Sequence, residues 1–318
     1  MYGFLYYPHG VSCNDPTPLL QVAPPLLSIQ TFRDKTSYVL SSLSAKGANS
    51  VSDILRLQLL KSESPLRFPR HYSTLILSPR LRSTSIDMAN TTPPHSNTPT
   101  YYAGYPIAEA THFLILLHGR YAGGQNQIHP FLPFLKSFPP HIKVAIVAPE
   151  ADNRDWFPKF HYHTIAENEP YLSAAVARVE REIVRIEEER GVDRTKIAVG
   201  GFSQGACLTA QYALKHPGKY WGVFVLSGGI PGKREYDIPS EGTGVVGEDF
   251  PRVDLLGTKV FVGCGDSDPF IDAKEVNWVA WAFGVSKANV DKRIYGGMNH
   301  MICQDEFDGI RDMLVSSA

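Results

Sequence analysis

The sequence predicts a three-layer α/β domain with a mostly parallel central sheet. Two observations lead to this fold class: short apolar runs recur from residue 111 onward, and helical patterns separate them. Apolar runs this short suit strands that are covered on both faces, as in a parallel sheet. Strands that alternate with helices are typical of domains in which helices pack on both sides of the sheet.

The predicted strands are five apolar runs and one short run near the C-terminus. They span residues 113–117, 143–149, 197–201, 222–228, 259–263 and 293–295. The clearest predicted helix runs from Ser173 to Arg190, and Gly191 follows it as a suitable C-terminal stop. Apolar side chains recur there at helical spacing, which predicts that one face of this helix packs on the sheet. The apolar stripe consists of Val176, Val179, Ile183 and Ile186.

The first hundred residues differ in composition from the rest of the chain. They are rich in Ser, Pro, Thr and Leu and show no sustained hydrophobic period. We therefore expect a disordered leader over residues 1–100 and a folded domain over residues 101–318. Two alternatives stay open: translation begins at Met88, or the leader is a mitochondrial transit segment, which acidic residues such as Asp15 and Asp34 disfavour.

Bulk composition argues against several classes of partner. The 31 Lys and Arg residues nearly balance the 32 Asp and Glu residues, so no strong field attracts nucleic acid or an anionic membrane. The longest apolar stretch, residues 19–29, is short and is broken by two prolines, so we expect no stable membrane insertion. The four cysteines lack metal-ligand or disulfide spacing, and no standard signal peptide is evident, which predicts a cytoplasmic protein.

The sharpest functional motif is Gly-Phe-Ser-Gln-Gly at residues 201–205. It follows a predicted strand directly and opens a predicted helix over residues 207–217. A nucleophile elbow requires this context, because the turn between strand and helix is too tight for side chains at its flanking positions. A tight turn without chemistry has the same pattern, so the prediction that Ser203 is a nucleophile depends on its partners.

A serine hydroxyl needs a base to take its proton and an acid to orient that base. Where such an elbow carries the nucleophile, the order along the chain is Ser, acid, His. After one predicted strand the sequence offers Asp266 and Asp268, and after the next it offers His300, the only histidine that follows these aspartates. Pro269 favours Asp268 as the acid, because a proline keeps the preceding residue extended. Asp266 remains the alternative.

The oxyanion that forms in such a reaction needs two backbone N–H donors. One should belong to the residue after the nucleophile, which is Gln204. The other should come from the loop after an early strand, and the loop from Leu116 to Gly124 fits this description. By position, the N–H of Arg120 is the best candidate.

From about Thr111 to Ala318 the chain resembles the phospholipase/carboxylesterase family of α/β hydrolases, whose best-known members are acyl-protein thioesterases. Five motifs carry the resemblance, and they occur in the order typical of the family. They are LLHGR, the segment Ala148–Phe157 that ends in Trp-Phe, GGFSQGA, GDSDPF and GGMNHMIC.

The resemblance implies an α/β-hydrolase fold and a catalytic triad of Ser203, Asp268 and His300. It also implies oxyanion donors at Arg120 and Gln204, and neither a metal nor an organic cofactor. Within the Ala148–Phe157 segment, we expect the aromatic pair to bind the substrate. These two residues are Trp156 and Phe157.

The implied activity is hydrolysis of carboxylic ester or thioester bonds through an acyl-enzyme, on a small-molecule ester or an acylated protein. At the first loop, the sequence of the family's thioesterases looks like His-Gly-Leu-Gly-Asp, whereas this chain has His118-Gly119-Arg120-Tyr121-Ala122. The departure leaves the substrate open, and lysophospholipase activity is one alternative. A catalytically silent fold that serves as a small-molecule receptor is another. The sequence does not indicate an oligomeric state.

Three further features have competing interpretations. The side chain of Arg120 either binds an anionic group of the substrate or makes a structural salt bridge. The segment 231–257 is long, Gly-rich and polar, and is either a mobile flap or a plain surface loop. His161 and His163 lie close together, but no third ligand at suitable spacing accompanies them, so we expect no metal site.

Overall fold

The computed structural model describes residues 92–232 and 253–318. Its strands are β1 (Thr100–Gly104), β2 (His112–Leu117), β3 (Val144–Pro149), β4 (Ile197–Phe202), β5 (Gly222–Leu226), β6 (Lys259–Gly265) and β7 (Asn289–Tyr295). They form one seven-stranded sheet in the order β1-β3-β2-β4-β5-β6-β7. β1 runs antiparallel to β3, and the remaining neighbours pair in parallel.

Helices cover both faces of this sheet. In the described ranges they are α1 (Gly124–Ile128), α2 (Leu132–Leu135), α3 (Ile165–Asn168), α4 (Tyr171–Arg190), α5 (Gln204–Ala213), α6 (Ala273–Val285) and α7 (Gln304–Val315). Alternate residues of β2 point to opposite faces: Phe113 and Ile115 join the core with α4, α5 and α6, whereas Leu114 and Leu116 join the core with α7. Helices on both faces of a mostly parallel sheet confirm the predicted fold class.

The central strands and the long helix follow the sequence pattern closely. α4 begins two residues before the predicted start at Ser173 and ends at Arg190 as predicted. Gly191 adopts the left-handed conformation there, with φ of 61°. The predicted stripe faces the core, because Val179, Ile183 and Ile186 are fully buried and Val176 packs against them.

Strands β1 and β7 lie at the two edges of the sheet and differ from the prediction. β7 is longer than the three residues predicted, and β1 was not predicted as a strand. Both strands have several half-buried or exposed positions, so polar residues interrupt the apolar run that marks a central strand. An edge strand has a neighbouring strand on one side only, and its sequence is correspondingly less apolar.

Contacts with the domain begin N-terminal to the boundary expected near residue 100. His95 is fully buried, and its Nδ1 accepts a hydrogen bond from the backbone N–H of Asp152 over 2.9 Å. Its ring also packs against that of Trp156, with centroids 5.6 Å apart. Burial lowers the pKa of His95 below its ordinary value, so this histidine is neutral in the folded protein.

Two sequence predictions fall outside the described residues. The leader was expected over residues 1–100, of which 1–91 are not described, and most of the segment 231–257 is likewise not described. Within residues 92–232 and 253–318, none of the helices combines the length and the apolar character needed to cross a bilayer.

Candidate active site

Ser203 occupies the sharp turn between β4 and α5. Its φ of 57° lies in the left-handed region, which is uncommon for a residue with a side chain. The two flanking glycines make room for the turn: a Cβ on Gly201 would lie 2.6 Å from the backbone carbon of Gly205. A Cβ on Gly205 would lie 2.2 Å from the carbonyl oxygen of Leu117, at the end of β2. The end of β2 is therefore in direct contact with the start of α5.

His300 connects Ser203 to Asp268. Its Nε2 lies 2.9 Å from Oγ of Ser203, and its Nδ1 lies 2.7 Å from Oδ2 of Asp268. An ionised carboxylate only accepts hydrogen bonds, so Nδ1 carries the proton and Nε2 is left to accept from the serine hydroxyl. The structure thus brings together three residues that lie far apart in the sequence.

The carboxylate of Asp268 is buried and held by several donors. Besides His300, the backbone N–H groups of Phe270 and Ile271 donate to its Oδ1, over 2.9 and 3.1 Å. Burial opposes ionisation of this side chain, but the hydrogen bond from His300 and the backbone donors outweigh it, so the pKa of Asp268 lies below its ordinary value. Asp268 is therefore ionised at neutral pH.

Asp266 has a different position from that of Asp268. Its Oδ1 accepts hydrogen bonds from the backbone N–H of Gly297, over 2.7 Å, and from the hydroxyl of Ser267, over 2.9 Å. The residue is exposed. Of the two aspartates that the sequence left as alternatives, Asp268 is the one in contact with His300, and Asp266 anchors the loop that precedes it.

Two aromatic rings flank the imidazole of His300. The ring of Phe202 lies 4.7 Å away and is buried, whereas the ring of Phe270 lies 4.9 Å away, edge-on, and is 45% exposed. The side chain of His300 is 16% exposed, and Ser203 is half-buried. The serine and histidine are accordingly open to solvent beside an apolar surface.

A buried carboxyl group supports the other end of the His300 loop. Oε2 of Glu306 accepts the backbone N–H of Cys303 over 3.0 Å, just before α7 begins. Glu306 has no exposed surface. Burial raises the pKa of Glu306 to about 8, so the group is mostly protonated at neutral pH.

The side chain of Arg120 makes structural contacts. Its Nε lies 3.1 Å from Oδ1 of Asp155, and its Nη2 donates to the carbonyl groups of Phe157 and Lys159 over 2.6 and 3.0 Å. The guanidinium also lies over the ring of Phe160, 5.1 Å from its centroid. Of the two interpretations of this side chain, the structural salt bridge is the one observed.

Gln204 is the first residue of α5, where a backbone N–H has no acceptor within the helix. Its side chain reaches the segment after β3. Oε1 accepts from the backbone N–H of Trp156 over 3.0 Å, and Nε2 donates to Oδ1 of Asp155 over 2.6 Å and to the carbonyl of Phe157 over 2.8 Å. Arg120 and Gln204, the two predicted oxyanion donors, therefore contact the same short segment.

Trp156 and Phe157, the predicted substrate-binding pair, are almost completely buried. Trp156 has no exposed surface and Phe157 exposes 1%. The indole stacks on the ring of His118, 4.8 Å away, and Nε1 donates to the carbonyl of the same residue over 2.9 Å. Both residues belong to the hydrophobic core, and their contact with substrate stays a prediction.

Two residues near the site were missed by the sequence analysis. Phe270 follows the Asp268-Pro269 pair. An aromatic residue in that loop could have been recognised from the sequence as an apolar surface beside the site. Asp155 precedes Trp156, but nothing in the sequence indicates that its carboxylate meets residues 35 and 49 positions away.

The two histidines considered as metal ligands have separate acidic partners. Nε2 of His161 lies 3.4 Å from Oε2 of Glu275, and Nδ1 of His163 lies 3.2 Å from Oε1 of Glu167. Across the described part of the chain, no group of three or more His, Cys, Asp or Glu side chains is arranged to hold a metal ion.

A comparison against known protein families agrees with the fold. The phospholipase/carboxylesterase family model matches residues 105–317. The chain belongs to the phospholipase/carboxylesterase family. This match confirms the resemblance that the five sequence motifs indicate.

Relatives within the phospholipase/carboxylesterase family carry different names. Acyl-protein thioesterase 1 of Kluyveromyces lactis is 34% identical over 130 residues, and lysophospholipase-like protein 1 of Mus musculus is 26% identical over 134 residues. Each alignment covers 39% of this chain, and 51% and 56% of the respective relative. This chain therefore spans about half the length of the curated relatives that it matches.

A solved structure from the same family matches over a longer span. The phospholipase/carboxylesterase of Dyadobacter fermentans is 28% identical, with a TM-score of 0.59. The match covers 69% of this chain and 96% of the bacterial protein.

Proposed function

We propose that this protein is a serine hydrolase that cleaves carboxylic ester or thioester bonds through an acyl-enzyme. The observation that carries the proposal is the hydrogen-bonded chain from Ser203 through His300 to Asp268, with distances of 2.9 and 2.7 Å. Both hydrogen bonds lie in the range expected for a nucleophile, its base and the group that orients the base. Membership of the phospholipase/carboxylesterase family supports the same activity.

In the first half of the reaction, Oγ of Ser203 attacks the carbonyl carbon of the substrate. Nε2 of His300 takes the hydroxyl proton, and the carbonyl π electrons move to the oxygen, which becomes an oxyanion. Asp268 stabilises the imidazolium that forms. When the carbonyl re-forms, the bond to the alcohol or thiol breaks, and His300 gives its proton to that leaving group.

In the second half of the reaction, a water molecule is the nucleophile in place of the serine hydroxyl. His300 takes a proton from the water as its oxygen attacks the acyl carbon, and a second oxyanion forms. Collapse of this intermediate breaks the bond to Oγ of Ser203, which regains its proton from His300. The products are the carboxylic acid and the free enzyme, so the cycle needs no cofactor.

The backbone N–H groups of Arg120 and Gln204 are our proposed donors to both oxyanions. The N–H of Gln204 points out of the start of α5, where the helix dipole also favours negative charge. Gly205 contacts Leu117 at the end of β2. The loop that follows β2 carries Arg120, and this contact supports its placement near the start of α5. Removing one such donor typically costs about 10²- to 10³-fold in kcat.

The substrate class is proposed from the relatives and from the surface next to His300. The relatives are named acyl-protein thioesterase and lysophospholipase-like protein, and both names refer to acylated substrates. Phe270 supplies exposed apolar area beside His300 on which a modest acyl group can lie. We propose a small-molecule ester or an acylated protein as the substrate, in the cytoplasm.

The experiment is a comparison of wild type with Ser203→Ala on p-nitrophenyl esters and acyl-CoA thioesters of increasing chain length. We expect Ser203→Ala to lose nearly all activity while its circular dichroism spectrum is unchanged. The chain-length profile and a lysophospholipid assay distinguish the candidate substrates. A folded Ser203→Ala variant that keeps a tenth or more of wild-type activity contradicts the proposal, and inactivity of the wild type on every substrate supports the silent-receptor alternative.

A further inference from the structure

The side chains of the two proposed oxyanion donors meet on the same two acceptors. Oδ1 of Asp155 lies 3.1 Å from Nε of Arg120 and accepts from Nε2 of Gln204 over 2.6 Å. The carbonyl oxygen of Phe157 accepts from Nη2 of Arg120 over 2.6 Å and from Nε2 of Gln204 over 2.8 Å. Residues 155–157, which we call the bridging segment, therefore tie the loop after β2, which carries Arg120, to the elbow turn at the start of α5, which carries Gln204.

Further hydrogen bonds fix the bridging segment against each loop. The backbone N–H of Trp156 donates to Oε1 of Gln204, so both the amide oxygen and the amide nitrogen of Gln204 bind this segment. On the other side, the indole N–H of Trp156 donates to the carbonyl of His118, two residues before Arg120. The segment is thus held at several points on both sides.

The peptide group that follows Arg120 is held in the same way. The backbone N–H of Tyr121 donates to the carbonyl of Arg154, directly before the bridging segment, over 2.7 Å. Tyr121 and Arg154 both have left-handed backbones, with φ of 64° and 58°. Non-glycine residues persist in this region only where the surrounding contacts impose it, and such residues cluster at functional sites.

The charges in this arrangement are only partly screened by water. The side chains of Arg120 and Asp155 are 20% and 21% exposed, and Gln204 is buried. Hydrogen bonds to an ionised group are stronger than those between neutral groups. Oδ1 of Asp155 is the one charged acceptor that Arg120 and Gln204 share. Removal of this carboxylate therefore loosens the Arg120 loop and the turn at Gln204 at once.

We propose that Asp155 is a positioning residue that sets the spacing between the backbone N–H groups of Arg120 and Gln204. Its carboxylate contacts these two side chains, and it acts on the oxyanion only through them. An oxyanion hole requires donors 2.7–3.1 Å from the developing charge, so a small shift of either loop weakens stabilisation of the transition state. This role rests on the proposed hydrolase function and deepens it.

The test uses substitutions on both sides of the ion pair. Asp155→Asn removes the charge and keeps the shape, Asp155→Ala removes both, and Arg120→Ala removes the partner. The matched control is Glu180→Gln, which breaks the partly buried pair between Glu180 of α4 and Arg194, just before β4. All variants are assayed as the full chain on one activated ester, with urea unfolding of each.

We expect each of the three variants to reduce kcat/KM by at least about tenfold, below the ~10²- to 10³-fold cost of losing a whole donor. An alkyl trifluoromethyl ketone, which forms an oxyanion on Ser203, should bind more weakly by the same factor. The Ki of the carboxylic acid product should change less than about twofold, because this ligand forms no oxyanion. Arg120→Ala combined with Asp155→Ala should lose less than the product of the two single effects, because the two side chains share the contact between Nε and Oδ1.

Three outcomes overturn the positioning role. The first is wild-type kcat/KM in folded Asp155→Asn and Arg120→Ala proteins. The second is an equal loss of affinity for the trifluoromethyl ketone and for the product acid, which indicates a general structural defect. The third is a comparable loss of activity in Glu180→Gln. A wild type that neither hydrolyses esters nor binds the trifluoromethyl ketone instead removes the proposed function, and the positioning role with it.

Discussion

Oδ2 of Asp268 lies 2.7 Å from Nδ1 of His300. The neighbouring backbone holds the rest of this carboxylate, so its orientation is fixed before any substrate binds. Asp266, two residues earlier, accepts a hydrogen bond from the backbone of Gly297 instead. The two carboxylates of one short loop therefore have separable tasks, which substitution can distinguish.

Asp268→Asn should reduce kcat by up to ~10⁴-fold, because an amide in this position no longer fixes the histidine tautomer or stabilises the imidazolium. Asp266→Asn should leave kcat within a few-fold of wild type and mainly lower stability, because it weakens one loop contact. Both variants are purified, checked for folding and assayed on the same ester. An inactive Asp266→Asn beside an active Asp268→Asn would falsify the assignment of the acid.

Replacement of the elbow glycine should be far more damaging than replacement of a helical one. Gly205→Ala places a Cβ 2.2 Å from the carbonyl of Leu117, so we expect a loss of about 3 kcal/mol or more in the free energy of unfolding. Gly284→Ala, in α6, meets no atom within 4 Å and should stabilise by about 0.5–1 kcal/mol. Urea unfolding measures both, and equal midpoints would show that the elbow is not tightly packed.

Glu306 should make the folded protein less stable as the pH rises. Its pKa is about 8 in the folded state, against an ordinary value of 4.5, so between these values unfolding releases its proton. The free energy of unfolding then falls by about 1.4 kcal/mol per pH unit over that range. Glu306→Gln lacks this contribution and should show a flatter profile.

The measurement for Glu306 is urea unfolding of wild type and Glu306→Gln at pH 5, 6.5 and 8. Buried neutral histidines such as His95 and His118 titrate in the opposite direction, but they are present in both proteins and cancel in the difference. A difference in unfolding free energy that is constant from pH 5 to pH 8 would show that Glu306 is ionised in the folded state.

The N-terminal boundary of the domain can be located by truncation. A chain that begins at Met88 keeps His95 and should fold and retain full activity. A chain that begins at Tyr101 loses the buried His95, its hydrogen bond with Asp152 and Thr100, the first residue of β1. It should be less stable by at least about 1–3 kcal/mol. Thermal unfolding of the two proteins checks this, and identical melting temperatures would show that residues 88–100 are dispensable.

Features encoded by local sequence were predictable, whereas those that depend on tertiary contacts were not. The elbow around Ser203 follows from two glycines and an apolar run, all within nine residues of the chain. β1 was missed because an edge strand carries no continuous apolar run. The motif predicts that Trp156 and Phe157 contact the substrate, and the structure buries both. An aromatic pair suits the core as well as a substrate site, so its burial could not be predicted from the sequence.

The central claim, that Ser203 is an activated nucleophile, is tested most directly by covalent labelling. A fluorophosphonate reacts only with a serine whose proton a neighbouring base can take. Trypsin should release residues 197–215 as one peptide, in which Ser203 is the only serine. The account predicts a stoichiometric adduct on Ser203 by tandem mass spectrometry, lost in Ser203→Ala; an unlabelled wild-type protein, or an adduct on another residue, would contradict it.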